Sequence, residues 1–312
     1  MQVVVAGGTG FLGRALIDAL LRDRHAVTVL TRQRVDPPRQ RPAAGEQQRA
    51  TWSPGHTAGG DAAWTTLIDG ADVIVNLAGD PIAGGRWTAD KKRRIADSRI
   101  AATRAIATAI TRANEPPALL VNASGVGYYG PCGDELVTES HAPGRDFLGT
   151  VCVRWEDEAM RAMSSRTRVV CVRTGLVLDR NDGALAQMLV PFRLGLGGPL
   201  GSGEQYWPWI HRQDWVDLVR LIVTSPAASG PINASAPTPV TNAEFTRALG
   251  RVLHRPAFLP APAFALRLLL GEMADALLLS GQRAVPAAAE RLGYRFSFSD
   301  LEPALANLFA SR

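Results

Sequence analysis

The sequence predicts an α/β protein: a doubly wound parallel sheet with a smaller, mostly helical C-terminal region. Three observations carry this. Short apolar, β-branched runs alternate with helix-patterned stretches through the first half, the signature of a parallel sheet covered on both faces. The first run, Val3-Val4-Val5-Ala6, leads directly into Gly7-Gly8-Thr9-Gly10-Phe11-Leu12-Gly13 and then into a helical pattern. Beyond Arg173 the alternation breaks into a glycine-rich stretch, Gly195 to Gly203, followed by a helix-rich tail.

The elements follow from these patterns in order. A helix from Phe11 to Arg22 connects the first strand to a second at Ala26 to Leu30, completing a βαβ unit. A polar, Pro- and Arg-rich stretch from Arg32 to Gly60 reads as loop with a short strand at Ala50 to Trp52. Then come a helix at Ala62 to Ile68, a strand at Val73 to Leu77, a long helix at Thr88 to Arg112 and a strand at Leu119 to Ala123. A helix at Asp146 to Met163 and a strand at Arg168 to Val172 bring the sheet to at least five strands. A helix at Asp214 to Val223 and a strand at Pro231 to Asn233 return to this sheet. The division expected is therefore a dinucleotide-binding Rossmann part, residues 1–178 with the return segment 210–235, and a substrate part, residues 179–209 and 236–312. A chain of 312 residues exceeds what one undivided core holds, in keeping with two parts. Ala263 to Leu279 is apolar nearly all round, so it is expected either buried in the smaller part or held in a homodimer contact.

The glycines of the first turn suit a pyrophosphate: they permit the tight turn, close backbone approach and close helix packing, ahead of a helix N-terminus that attracts anions. The end of the second strand selects the nucleotide. An NAD site places a carboxylate there for the ribose 2′-hydroxyl, whereas this chain reads Val29-Leu30-Thr31-Arg32-Gln33-Arg34, with no acid between Asp23 and Asp36. Arg32 can clamp a 2′-phosphate and Thr31 can add a hydroxyl, so the cofactor expected is NADP(H).

Several classes are disfavoured. The net charge of +5 is scattered apart from Lys91-Lys92-Arg93-Arg94, which lacks interleaved aromatics, so nucleic acid is not expected as a partner. Cys132, Cys152 and Cys171 have no metal or disulfide spacing, the five histidines are dispersed, and no metal is expected. The most apolar span carries Arg267, Glu272 and Asp275, and the chain opens on its first strand without a charged leader. No membrane association and a cytoplasmic location are the expectations.

The chain resembles the extended and atypical short-chain dehydrogenase/reductases, the group containing nucleotide-sugar epimerases. The matching stretches are Gly7 to Gly13, Asn76-Leu77-Ala78-Gly79, Ser124 and Trp209-Ile210-His211-Arg212-Gln213-Asp214. More narrowly it resembles an atypical epimerase branch through Arg86-Trp87-Thr88, Ser98-Arg99, Gly125-Val126-Gly127-Tyr128-Tyr129-Gly130, Trp155-Glu156, the run Pro191 to Pro199, and Ser280-Gly281-Gln282-Arg283. The resemblance implies that Thr31 and Arg32 hold the 2′-phosphate, that Leu77, Ala78 and Gly79 pass along the nucleotide, and that backbone from Gly175 to Val177 borders the nicotinamide. Arg99 stands where active relatives carry Asn, and a cation there could reach cofactor phosphate or substrate oxygens. With Gly7, Thr9, Gly10, Phe11, Leu12 and Gly13, these residues are the expected cofactor contacts.

In the same group a Tyr and a Lys four residues later share one helix face and move the proton at the reacting oxygen. Here Leu148 and Cys152 occupy those places, and no Tyr-x-x-x-Lys occurs. Ser124, at a strand's carboxyl end, is expected to donate to substrate. Tyr128 or Tyr129 is expected to stand in as acid; without a neighbouring Lys a phenol donates better than it accepts, which favours reduction. Cys152 reads either as a small core residue or as a reactive thiolate, Glu156 as half of an ion pair, Trp207 and Trp209 as pocket walls or core, and Arg193 as a phosphate contact or a helix-end charge. Two functions follow: an NADP(H)-binding oxidoreductase or epimerase-like enzyme acting on a small carbonyl or hydroxyl compound, or a regulatory NADPH-binding protein without turnover.

Overall fold

The computed structural model describes residues 1–36, 40–54 and 63–310. From the amino terminus, β1 (Gln2–Ala6) leads through α1 (Phe11–Arg22) to β2 (Ala26–Thr31), β3 (Gln47–Thr51) and β4 (Val73–Asn76). Next come α2 (Ala89–Arg112), β5 (Leu119–Gly125), the short β6 (Leu136–Val137), α3 (Phe147–Met160), β7 (Arg168–Thr174), β8 (Leu176–Leu178) and α4 (Gly183–Arg193). The remainder comprises β9 (Tyr206–Trp207), β10 (Trp209–His211), α5 (Arg212–Thr224), β11 (Gly230–Ala234), β12 (Val240–Thr241), α6 (Asn242–Leu253), α7 (Ala263–Leu270), α8 (Glu272–Leu277), β13 (Arg283–Ala284), α9 (Ala287–Arg291) and α10 (Leu301–Phe309).

Seven strands form one sheet in the order β11-β7-β5-β4-β1-β2-β3, every neighbouring pair parallel. The chain winds outward from β1 in one direction and from β4 in the other. The crevice between their carboxyl ends is the place where ligands bind in open α/β sheets. The period of two decides what covers each face: Val3 and Val5 pack with Leu16 and Leu20 of α1 and Trp215 and Val219 of α5. Val4 and Ala6 pack instead with Ile106 and Ile110 of α2. Each such aliphatic side chain contributes about 1.5–3 kcal/mol by burial. Helix starts are fixed locally: Thr88 accepts from Lys91 N at 3.1 Å and Asp146 from Gly149 N at 2.8 Å.

The structure departs from one expectation and bears on two places where the sequence left alternatives. The helix at Ala62 to Ile68 reduces to a single 3-10 turn at Thr65–Leu67, residues 55–62 lying outside the described set. The apolar stretch Ala263 to Leu279 is two helices broken at Gly271, whose φ of +62° ends the first. Nor is this stretch buried throughout: α7 has no buried residue, and Phe264, Leu268 and Leu269 are at least 70% exposed. α8 docks inward through Met273 against Trp87, Ile95 and Leu148, and α7 reaches that cluster through its last residue, Leu270. Of the two readings of Trp207 and Trp209, the structure shows core: both are buried with Phe245 and Leu249.

No helix among the described residues is long and apolar enough to cross a membrane.

Candidate functional site

The turn after β1 has the geometry of a nucleotide cradle. Gly7 lies at φ +79°, and a Cβ there would sit 2.5 Å from the Leu77 carbonyl carbon, so the turns after β1 and β4 are in contact only because residue 7 is glycine. Gly13 brings α1 equally close, since its Cβ would stand 2.4 Å from Gly7 O. Gly10 caps α1 with no side-chain hydrogen bond, and no acid lies in the first turn. Thr9 and Gly10 are exposed and Phe11 and Leu12 partly so, which leaves the first amides of the helix free for an anion. A Cβ on Gly183 would lie 3.3 Å from the Phe11 ring and 3.7 Å from Val177 O, which brings Val177 to the same end of the sheet as Phe11.

At the end of β2, Thr31 accepts from Gln33 N at 3.2 Å, which leaves its own proton to give. Arg32 is exposed and has no carboxylate partner among the described residues. The turn after β4 is fixed from below: Asn76 Nδ2 donates to Thr103 Oγ1 at 2.8 Å and Asn122 Oδ1 at 2.7 Å, while its Oδ1 accepts from Ala78 N at 3.2 Å. Gly79 has a use the sequence did not suggest. A Cβ on it would meet the Arg99 guanidinium carbon at 3.2 Å, so the missing side chain makes room for Arg99 to lie across the turn.

The residues expected to act on substrate are engaged within the protein. Ser124 is buried, and its hydroxyl donates to Glu156 Oε1 at 2.6 Å, so its proton is engaged inside the protein. Glu156 is in turn held by Arg173, whose Nε and Nη2 donate to its two oxygens at 2.9 and 2.8 Å. The Tyr128 ring covers that guanidinium at 3.4 Å, lining a small cleft with Val153, Asp157 and Met160 rather than facing Leu148 and Cys152. Tyr129 is buried, donates to Asn233 Oδ1 at 2.7 Å and accepts from Arg173 Nη1 at 3.0 Å. Burial pushes its phenol up to about 12, so it is no base near neutral pH.

The face of α3 nearest the crevice is apolar. Leu148 packs on Gly127 and clusters with Trp87, Ile95 and Met273. Cys152 donates weakly to Gly125 O at 3.8 Å, and burial raises its thiol to about 11. It is therefore a neutral core thiol and not a thiolate. Arg99 is the cation of this region: Nη1 donates to Asp80 O at 2.9 Å and Ile95 O at 3.0 Å, and the guanidinium lies 5.0 Å from the Trp155 ring. Lys91, Lys92, Arg93 and Arg94, by contrast, face Asp80, Glu272 and Asp90 as a paired helix surface. Arg193 is exposed in the last turn of α4.

Two groupings escaped the sequence reading. Arg173 could have been found, because a cation inside Val169-Val170-Cys171-Val172-Arg173 requires a buried partner. The contact of Trp87 with Met273 carries no local signal.

Comparison with known proteins adds the following. The model of the "NAD dependent epimerase/dehydratase family" matches residues 3–234, and that of a domain of unknown function, DUF1731, matches residues 261–308. The chain is 40% identical over 307 residues to the chloroplastic epimerase family protein SDR39U1 homolog of Arabidopsis thaliana, covering 98% of this chain and 86% of that protein. It is 39% identical over 313 residues to the epimerase family protein YfhF of Bacillus subtilis, covering 100% and 99%. The crystal structure of the human epimerase family protein SDR39U1 (isoform 2) with NADPH superposes with a TM-score of 0.86 at 37% identity, covering 99% of each chain.

Proposed function

The chain belongs to the NAD dependent epimerase/dehydratase family, and from that premise we propose that it binds NADP(H) and acts as an oxidoreductase on a small carbonyl or hydroxyl compound. The observation that carries the reading is the pairing of an uncapped α1 N-terminus, in a turn that only glycine fits, with an exposed Arg32 closing β2 that has no carboxylate partner among the described residues. In this reading the Gly10 amide closes the turn on Gly7 O, the amides of Phe11 and Leu12 take the pyrophosphate beside the exposed Thr9, Thr31 and Arg32 take the 2′-phosphate, and Leu77, Ala78 and the backbone at Val177 border the rest of the nucleotide. A nicotinamide held there supplies or accepts hydride. The protein's part is to orient it, to exclude water with the apolar face of α3, and to bind the partner compound between residues 1–178 and the C-terminal segments.

The NADPH bound in the human relative's structure supports the choice of nucleotide. Titration of NADPH and NADH by calorimetry tests it. Arg32→Asp is expected to weaken NADPH by ten- to a hundredfold, the worth of one charge-assisted contact, and to leave NADH within a few-fold. Equal losses for both nucleotides would remove the phosphate clamp from the argument. The absence of a Tyr and Lys pair also admits binding without turnover. Tight NADPH binding with no oxidation across a broad panel of carbonyl compounds would favour that reading.

A further inference from the structure

The proposed reduction lacks a proton donor in the usual place, and the structure shows what stands there instead. Leu148 and Cys152 are buried, the Ser124 proton is held by Glu156, and Tyr128 lies over Arg173 on another side of α3. The wall they leave is apolar, made by Leu148, Trp87 and Met273 with Ile82, Leu270 and Leu277 packed around them. Two cations border this cluster: Lys92, 4.9 Å from the Phe147 ring and paired with Glu272, and Arg99, bonded to Ile95 O. Arg99 uses only Nη1 on main-chain carbonyls, so Nε and Nη2 have no hydrogen-bond partner among the described residues, and neither is sealed from solvent. Burial lowers the Arg99 guanidinium's affinity for its proton. A half-buried guanidinium with open donors beside an apolar surface has an unmet demand for an anion.

We infer that Arg99 is the oxyanion-binding residue of this site, and that the substrate is a largely apolar compound with a conjugated carbonyl, such as an enone or quinone, rather than a nucleotide sugar. The inference rests on the NADP(H) reading above and goes beyond it. A conjugated carbonyl compound reduced here gains a hydride and carries the electron pair on its oxygen as a delocalised anion until a proton from water neutralises it, while the dihydronicotinamide is oxidised. Delocalisation replaces the absent phenol, since the anion is stable enough to await water, and Arg99 supplies the charge that stabilises it. A saturated sugar ketone would form a localised alkoxide, which needs a positioned acid.

The test uses 4-nitrophenol, a planar apolar compound whose anion mimics the reduced acceptor, titrated into the full-length protein with and without saturating NADPH. Bound to the wild-type protein, its ionisation followed by absorbance should move at least half a pH unit below its free value, a readout that needs neither turnover nor a variant. Arg99→Met should abolish that displacement and weaken the phenolate ten- to a hundredfold, with Arg99→Lys intermediate. UDP-glucose should fail to displace the phenolate. The proposal is overturned if the bound phenol ionises at or above its free value, if Arg99→Met binds the phenolate as wild type does, or if UDP-glucose binds more tightly than the phenolate. Loss of NADPH binding by the wild-type protein would count against the nucleotide reading alone, because the phenolate titrations are read separately.

Discussion

Replacing Arg173 by Met should expose how strongly the buried ion pair beneath Ser124 is built into the fold. The Arg173 and Glu156 side chains are 4% and 12% exposed, and four donor contacts leave the guanidinium: two to Glu156, one to Tyr129 and one to Glu139 O. Arg173→Met retains the stem volume but leaves the Glu156 carboxylate with Ser124 alone. Breaking a buried pair from one side costs about 3–5 kcal/mol, most of it the desolvated partner left behind. Adding Glu156→Leu removes that stranded charge, and the double variant should recover about 2 kcal/mol or more relative to the sum of the two single losses. Recovery stays incomplete, because Ser124, Tyr129 and Glu139 O lose partners worth about 1 kcal/mol each. Urea unfolding followed by circular dichroism at pH 7, with unchanged slopes, measures all four corners of this cycle. A cost below about 1 kcal/mol for Arg173→Met, or strict additivity of the two substitutions, would refute the account of this network.

Two further outcomes follow from buried titratable groups. His211 lies against Phe298 with ring centroids 4.0 Å apart, and burial, with the neighbouring Arg212 charge, pushes its imidazole from 6.5 down to about 4. The unfolded chain takes the proton first, so this contribution is complete above about pH 6.5 and is lost as pH falls toward 4. At roughly 1.4 kcal/mol per pH unit it amounts to about 3 kcal/mol over the window. His211→Gln should flatten that part of the stability profile, and parallel profiles for the two proteins would contradict the assignment. Iodoacetamide at pH 7 should modify the native chain slowly and only at half-buried Cys132, because burial raises the thiols of Cys152 and Cys171 and seals them. Three thiols should react in urea. Labelling of Cys152 in the native protein at the rate of a free cysteine would restore the reactive-thiolate alternative.

The sequence by itself determined the parallel sheet, its first βαβ unit and the cradle at Gly7 to Gly13, because strand period, turn chemistry and helix capping act between residues a few positions apart. The resemblance to the short-chain dehydrogenase/reductases set Leu148 and Cys152 at the places of the proton-moving pair, and their four-residue spacing puts both on one helix face. Only the tertiary structure decided how Ser124 is used: Glu156, 32 residues along the chain, reaches its hydroxyl through α3. Only packing brought Met273 onto Trp87, and only the close pass of Gly79 let Arg99 lie across the turn after β4. The exposure of α7 was likewise hidden, because an all-apolar pattern records how much surface could be buried and not which neighbour arrives to bury it. These contacts join segments distant along the chain, and their energies depend on distance and desolvation in three dimensions, quantities that no periodicity encodes.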